Sequence, residues 1–135
     1  MGAWYTIGLF LGLGTALGVA CVAIVPRALL TVLPAAAVAA VLGYVFSGTA
    51  QAGAGAIGAV LGSFGAEPVV TGTLRRGGTR GGTATLLLGA AIVLAGLAFV
   101  PVLGYVEAVA VPLFGFRLRR RAPDRHAGLR TLAKD

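Results

Sequence analysis

The sequence predicts an all-α membrane protein: a small polytopic helical bundle with 4–5 transmembrane segments, the last two forming a short hairpin. Of its 135 residues, 58% are hydrophobic and only 11% are charged, whereas a soluble domain carries about 25% charged residues. Apolar runs alternate with short polar or basic segments along the whole chain. We expect residues 1–117 to form the transmembrane bundle and residues 118–135 a basic cytoplasmic tail.

The first two apolar runs, 3–25 and 28–46, predict two membrane-spanning helices. At about 1.5 Å per residue, the first run can cross a hydrocarbon core of about 30 Å. Pro34 lies inside the second run and is expected to bend its helix. The polar segment 47–51, Ser-Gly-Thr-Ala-Gln, is typical of a loop.

The final apolar stretch, 83–116, predicts a hairpin. As one helix its 34 residues would extend about 50 Å, more than a bilayer core requires. We therefore expect helices at 83–99 and 103–117, separated by a turn at Pro101. A re-entrant hairpin and one long tilted helix are the alternatives. A third apolar run, 52–72, precedes this stretch. The glycine- and arginine-rich segment between the two is predicted to be a loop.

Basic residues cluster beside the apolar runs, which predicts the orientation of the chain. Positively charged residues mark the cytoplasmic side and attract anionic lipid. The residues assigned to this role are Arg75, Arg76, Arg80, Arg117, Arg119, Arg120 and Arg121. They predict a multi-pass protein of a prokaryotic cytoplasmic (inner) membrane, with its N-terminus out and its C-terminus in. Membrane lipid is the expected partner and nucleic acid is not.

Six glycines recur at a spacing of four and predict helix-packing faces. Glycines four residues apart share one helix face and let another backbone approach closely. The three pairs are Gly8 and Gly12, Gly14 and Gly18, and Gly58 and Gly62. These faces would pack within one protomer, in a homo-oligomer or in a larger membrane complex. Because the chain contains 22 glycines, chance spacing is the alternative.

Two glutamates within the apolar runs, Glu107 and Glu67, are the candidate ion or proton site. Buried in the membrane, Glu107 could carry a proton or hold a cation. Near the outer interface it would instead reach headgroup water, and this is the favoured interpretation. For Glu67, local pairing with Arg75 or Arg76 is favoured over a helix break at Pro68 that would expose the carboxylate to an ion path.

The sequence gives no support for enzymatic activity. It contains one cysteine, Cys21, and one histidine, His126, so no metal site, cofactor or catalytic residue is predicted. The expected function is that of a structural or accessory membrane subunit without enzymatic activity. The alternative is a small oligomeric channel or an ion- or proton-coupled transporter that uses Glu107 and Glu67.

Overall fold

The computed structural model describes residues 2–100 and 102–121, and these residues form five helices. They are α1 (Ala3–Ile24), α2 (Ala28–Ser47), α3 (Thr49–Arg75), α4 (Arg80–Leu97) and α5 (Leu103–Arg121). The first four are long and apolar enough to cross a membrane. The all-helical prediction is confirmed, and these four helices indicate a membrane location.

Two segments expected to be loops do contain the breaks between helices, but these breaks are shorter than expected and most of each segment is helical. A single residue, Gly48, separates α2 from α3, and its φ of 107° is a backbone conformation that glycine adopts without strain. Helix α3 then continues to Arg75, so that only residues 76–79 separate it from α4. In these polar segments, helical hydrogen bonds satisfy the backbone N–H and C=O groups, which in an open loop would need water as their partner.

The final apolar stretch forms two helices, so the alternative of one long helix is wrong. Helix α4 ends at Leu97 and α5 begins at Leu103. The two helices barely touch each other: α4 packs mainly on α1, and α5 packs on α3 and α1. The first and third helices, rather than direct contact between the two arms, therefore hold this part of the chain in place.

Helices α1, α3 and α5 run in the same direction, while α2 and α4 run in the opposite direction. Gly14 and Gly18 of α1 lie against successive turns of α3, and Gly8 and Gly12 lie against the start of α5. The connections then bring the described arginines to one end of the bundle, where all are exposed: Arg27, Arg75, Arg76, Arg80, Arg117, Arg119 and Arg120.

Small residues and valine form the core, and larger apolar side chains lie on the surface. Val22, Ala28 and Ala59 have no exposed surface, whereas Leu29 and Leu86 are mostly exposed. An apolar groove of about 470 Å³ lies between α1, α2 and α4. Exposed leucine and valine are expected where a helix contacts lipid tails.

Candidate functional site

The contact between α1 and α3 is made of glycine on both sides. A Cβ atom added to Gly14 would overlap the carbonyl of Gly55, and one added to Gly18 would overlap the carbonyl of Ala59. In the other direction, a Cβ at Gly58 would overlap the carbonyl of Leu11. Gly62 lies in the same way against the backbone of Thr15. The two backbones therefore approach closely enough that neither side can accept a larger residue.

The remaining predicted pair, Gly8 and Gly12, faces α5 rather than α3. A Cβ added to Gly8 would overlap the ring of Tyr105. Gly104 lies against the carbonyl of Gly8, and its Cα is 2.9 Å from the position of a Cβ on Gly12. Helix α1 thus uses one glycine pair for α3 and another for α5.

The polar side chains between α1 and α3 are hydrogen-bonded. Thr15 donates to the Leu11 carbonyl at 2.9 Å, and the buried Ser63 donates to the Gly18 carbonyl at 3.5 Å. At the end of the bundle away from the arginines, the Gln51 amide donates to the Thr6 hydroxyl at 2.9 Å. Each of these polar side chains therefore has a hydrogen-bond partner within the packed helices.

Glu107 differs from these residues because it is buried without a partner. The residue is only 6% exposed. Neither of its carboxylate oxygens has a hydrogen-bond partner among the described residues. Its Oε2 lies 3.0 Å from the position of a Cβ on Gly12, and the Cβ of Ala98 lies 2.7 Å from that same position. The carboxyl group is therefore enclosed where α1, the end of α4 and α5 meet.

The expectation that Glu107 reaches headgroup water is wrong. The Tyr105 hydroxyl donates to the Trp4 carbonyl at 2.6 Å, and these aromatic residues mark the interfacial end of the bundle. Gly12 lies eight residues, or about 12 Å, beyond Trp4 along α1. At that depth the effective cost of burying an ionised, unpaired carboxylate is several kcal/mol. Glu107 points inward because α5 packs its first turns directly on the glycine face of α1.

Glu67 is paired, but not with the arginines that follow it in sequence. Its Oε2 accepts a hydrogen bond from Arg119 of α5 at 3.0 Å, so the expected pairing with Arg75 or Arg76 is wrong. Helix α3 continues through Pro68 without interruption, so the alternative of a helix break at that residue is also wrong. The structure therefore does not bring Glu67 and Glu107 together, since Glu107 lies near the start of α5 and Glu67 pairs with Arg119 near its end.

The arginines assigned to the cytoplasmic face gather at one end, as described above. The side chain of Arg121 and the whole of residues 122–135 lie outside the described residues. Most of the predicted basic tail, including His126, therefore falls outside them as well.

Sequence reasoning missed the packing role of Gly65 and Gly115, and it missed Arg119 as the partner of Glu67. Gly65 and Gly115 lie against each other between α3 and α5, and their positions in different helices leave no spacing signal. Arg119 reaches Glu67 across 52 positions of the chain. Only the packing of α5 on α3 brings these residues together.

Comparison with protein-family models, with curated proteins and with solved structures finds no match to this chain.

Proposed function

We propose that this protein is an integral membrane protein that acts as a structural or accessory subunit, without enzymatic activity. The proposal is supported by one observation above all: glycines of α1, α3 and α5 meet backbone atoms of neighbouring helices at six or more positions. Close backbone contact is a main source of helix association in lipid. It gives a rigid three-helix unit. Helices α2 and α4 pack on this unit and expose broad apolar surfaces to lipid or to other membrane proteins.

The orientation proposed is N-terminus out and C-terminus in, across a prokaryotic cytoplasmic membrane. It is supported by the arginines gathered at one end of the bundle, because basic residues remain on the cytoplasmic side. In this arrangement α5 is the fifth crossing. Its apolar part, 103–116, extends only about 21 Å, and the arginines that follow can extend their side chains to the interface.

The same arginine end is proposed to bind anionic lipid. Each basic residue near a negatively charged leaflet contributes about 1 kcal/mol of attraction. Binding to vesicles that contain anionic lipid should therefore exceed binding to neutral vesicles and weaken as salt is added. Equal binding to both kinds of vesicle would contradict this part of the proposal.

A second candidate function is the movement of protons or cations by a small channel or transporter. One observation favours it: Glu107 is buried in the bundle without a hydrogen-bond partner among the described residues. Acidic groups inside a membrane are costly and commonly functional. Glu67 has no part in this candidate, because Arg119 neutralises it at the other end of α5.

Reconstitution into liposomes separates the two candidates. A structural subunit should give no proton or cation flux above that of protein-free liposomes, and Glu107→Gln should leave this result unchanged. A transporter should give a flux that Glu107→Gln abolishes and that the control variant Glu67→Gln retains. Flux by the unmodified protein would contradict the structural proposal.

A further inference from the structure

We infer that Glu107 is a proton-binding site within the contact between α1 and α5, where it is held as a neutral carboxylic acid against Gly12. The inference goes beyond the structural role proposed above, and it deepens the second candidate by naming the ion. It starts from a group that the packing leaves unexplained: a carboxyl that is 6% exposed and has no hydrogen-bond partner among the described residues.

The surroundings of the carboxyl group suit a proton and not a metal ion. Calcium requires six to eight oxygen ligands, and magnesium requires octahedral oxygen ligands. Neither carboxylate oxygen of Glu107 has a hydrogen-bond partner among the described residues. The Cβ of Ala98, the Cα of Gly104 and Oε2 of Glu107 all lie within 3.0 Å of the position that a Cβ on Gly12 would take. Among residues 2–100 and 102–121, no three His, Cys, Asp or Glu side chains form a group that could hold a metal. A proton requires no ligand beyond the carboxyl itself.

Besides Glu107, the titratable side chains in the first turns of α1 and α5 are two tyrosines that already donate hydrogen bonds elsewhere. Tyr5 of α1 donates its hydroxyl to the Phe99 carbonyl at 2.8 Å. Tyr105 of α5 donates to the Trp4 carbonyl at 2.6 Å. Neither donates to the carboxyl group, so neither stabilises a negative charge there.

The charged groups of the packed helices lie too far away to neutralise a carboxylate. On α3, Glu67 pairs with Arg119, which is twelve residues or about 18 Å along α5 from Glu107. On α4, Arg80 is at the opposite end of the helix from Ala98, about 27 Å away. On α1, Cys21 lies about 14 Å beyond Gly12. An ionised Glu107 would therefore be an isolated buried charge, which a protein avoids by neutralising the group.

Gly12 provides the space for the acid and is the positioning residue of the site. A Cβ at this position would lie 3.0 Å from Oε2 of Glu107 and 2.9 Å from the Cα of Gly104. Loss of the proton would leave a buried charge without a hydrogen-bond partner among the described residues. We therefore expect deprotonation to require separation of the first turns of α5 from α1, with the hydrogen bond from Tyr105 to Trp4 as a contact that opens.

Infrared spectroscopy of the full chain in detergent tests the inference directly. At pH 7, where carboxyl groups in water are ionised, the wild type should show the carbonyl band of a protonated carboxyl group. The band should be lost in Glu107→Gln and retained in the control Glu67→Gln. A wild-type spectrum without the band, or a band that survives in Glu107→Gln, would overturn the inference. A band without flux in liposomes would support proton binding and leave the structural role intact.

A second measurement does not depend on the Gln variant folding. Replacement of a buried, unpartnered polar group by an apolar side chain of similar size is neutral or stabilising. Glu107→Met should therefore have a thermal midpoint equal to or above that of the wild type. A lowered midpoint would show that the carboxyl group has a stabilising partner and would overturn the inference.

Discussion

Helices α3 and α4 both contain several glycines, but they use them differently. In α3, Gly55, Gly58 and Gly62 each lie against the backbone of a neighbouring helix. In α4, a Cβ added to Gly89 or Gly96 would have no atom within 4 Å apart from the nearby backbone and chain neighbours of its own helix. Helix α3 is among the most buried of the four long apolar helices, and α4 is the least buried of them.

The difference shows that glycine content alone does not identify a packing helix. A glycine inside a helix is less favourable than alanine by about 1 kcal/mol. In α3 the close approach of α1 offsets this cost through backbone contacts. In α4 no contact within the described chain offsets it. The two helices should therefore respond in opposite ways to larger side chains.

The largest effect is expected from a large side chain in the glycine face of α3. Gly58→Leu would place a side chain where the Leu11 carbonyl now lies. Overpacking of a core commonly costs about 1–3 kcal/mol, and an overlap with backbone should exceed that range. We expect at least about 3 kcal/mol of destabilisation, measured by thermal or denaturant unfolding in detergent.

The same helix offers a matched control for this prediction. Gly53 is exposed and has no atom within 4 Å of its would-be Cβ. Gly53→Leu should therefore unfold close to the wild type. Equal stability of the Gly53 and Gly58 variants would contradict the account of the contact between α1 and α3.

A smaller effect of opposite sign is expected in α4. Gly89→Ala adds a methyl group in open space and removes the conformational cost of glycine. The variant should be more stable than the wild type by up to about 1 kcal/mol, with an unchanged mass in solution by light scattering. A loss of stability or a change in oligomeric mass would show that another chain covers this face.

The smallest effect is expected from the ion pair between α5 and α3. The side chains of Arg119 and Glu67 are 54% and 22% exposed, and exposed ion pairs contribute only about 0.2–1 kcal/mol. Arg119→Gln should lower the unfolding free energy by that amount, and the difference from wild type should shrink at high salt. A larger loss that is insensitive to salt would indicate that the pair is buried from solvent.

The apolar runs predicted most of the helix bounds, because length and hydropathy are local properties. Runs 3–25 and 28–46 correspond closely to α1 and α2. The break near Pro101 also appears between α4 and α5. Polar and glycine-rich segments were harder to interpret, since a helix can extend through them when neighbouring helices enclose its backbone.

The candidate site was less predictable, because it depends on contacts between distant parts of the chain. The sequence identified Glu107 as unusual but could not show which face of α5 meets α1. It likewise gave no signal that Arg119, rather than Arg75, would reach Glu67. Burial and pairing are set by helix packing, which the spacing of apolar residues alone does not determine.

The orientation proposed above has five alternating helices place every described arginine on the cytoplasmic side. Cysteine accessibility tests it directly, in a Cys21→Ala background with single cysteines at positions 50, 79, 102 and 125. In intact cells, an impermeant thiol reagent should label positions 50 and 102, and it should label 79 and 125 only after permeabilisation. Labelling of 125 in intact cells, or labelling of 50 and 102 from different sides, would contradict the claim.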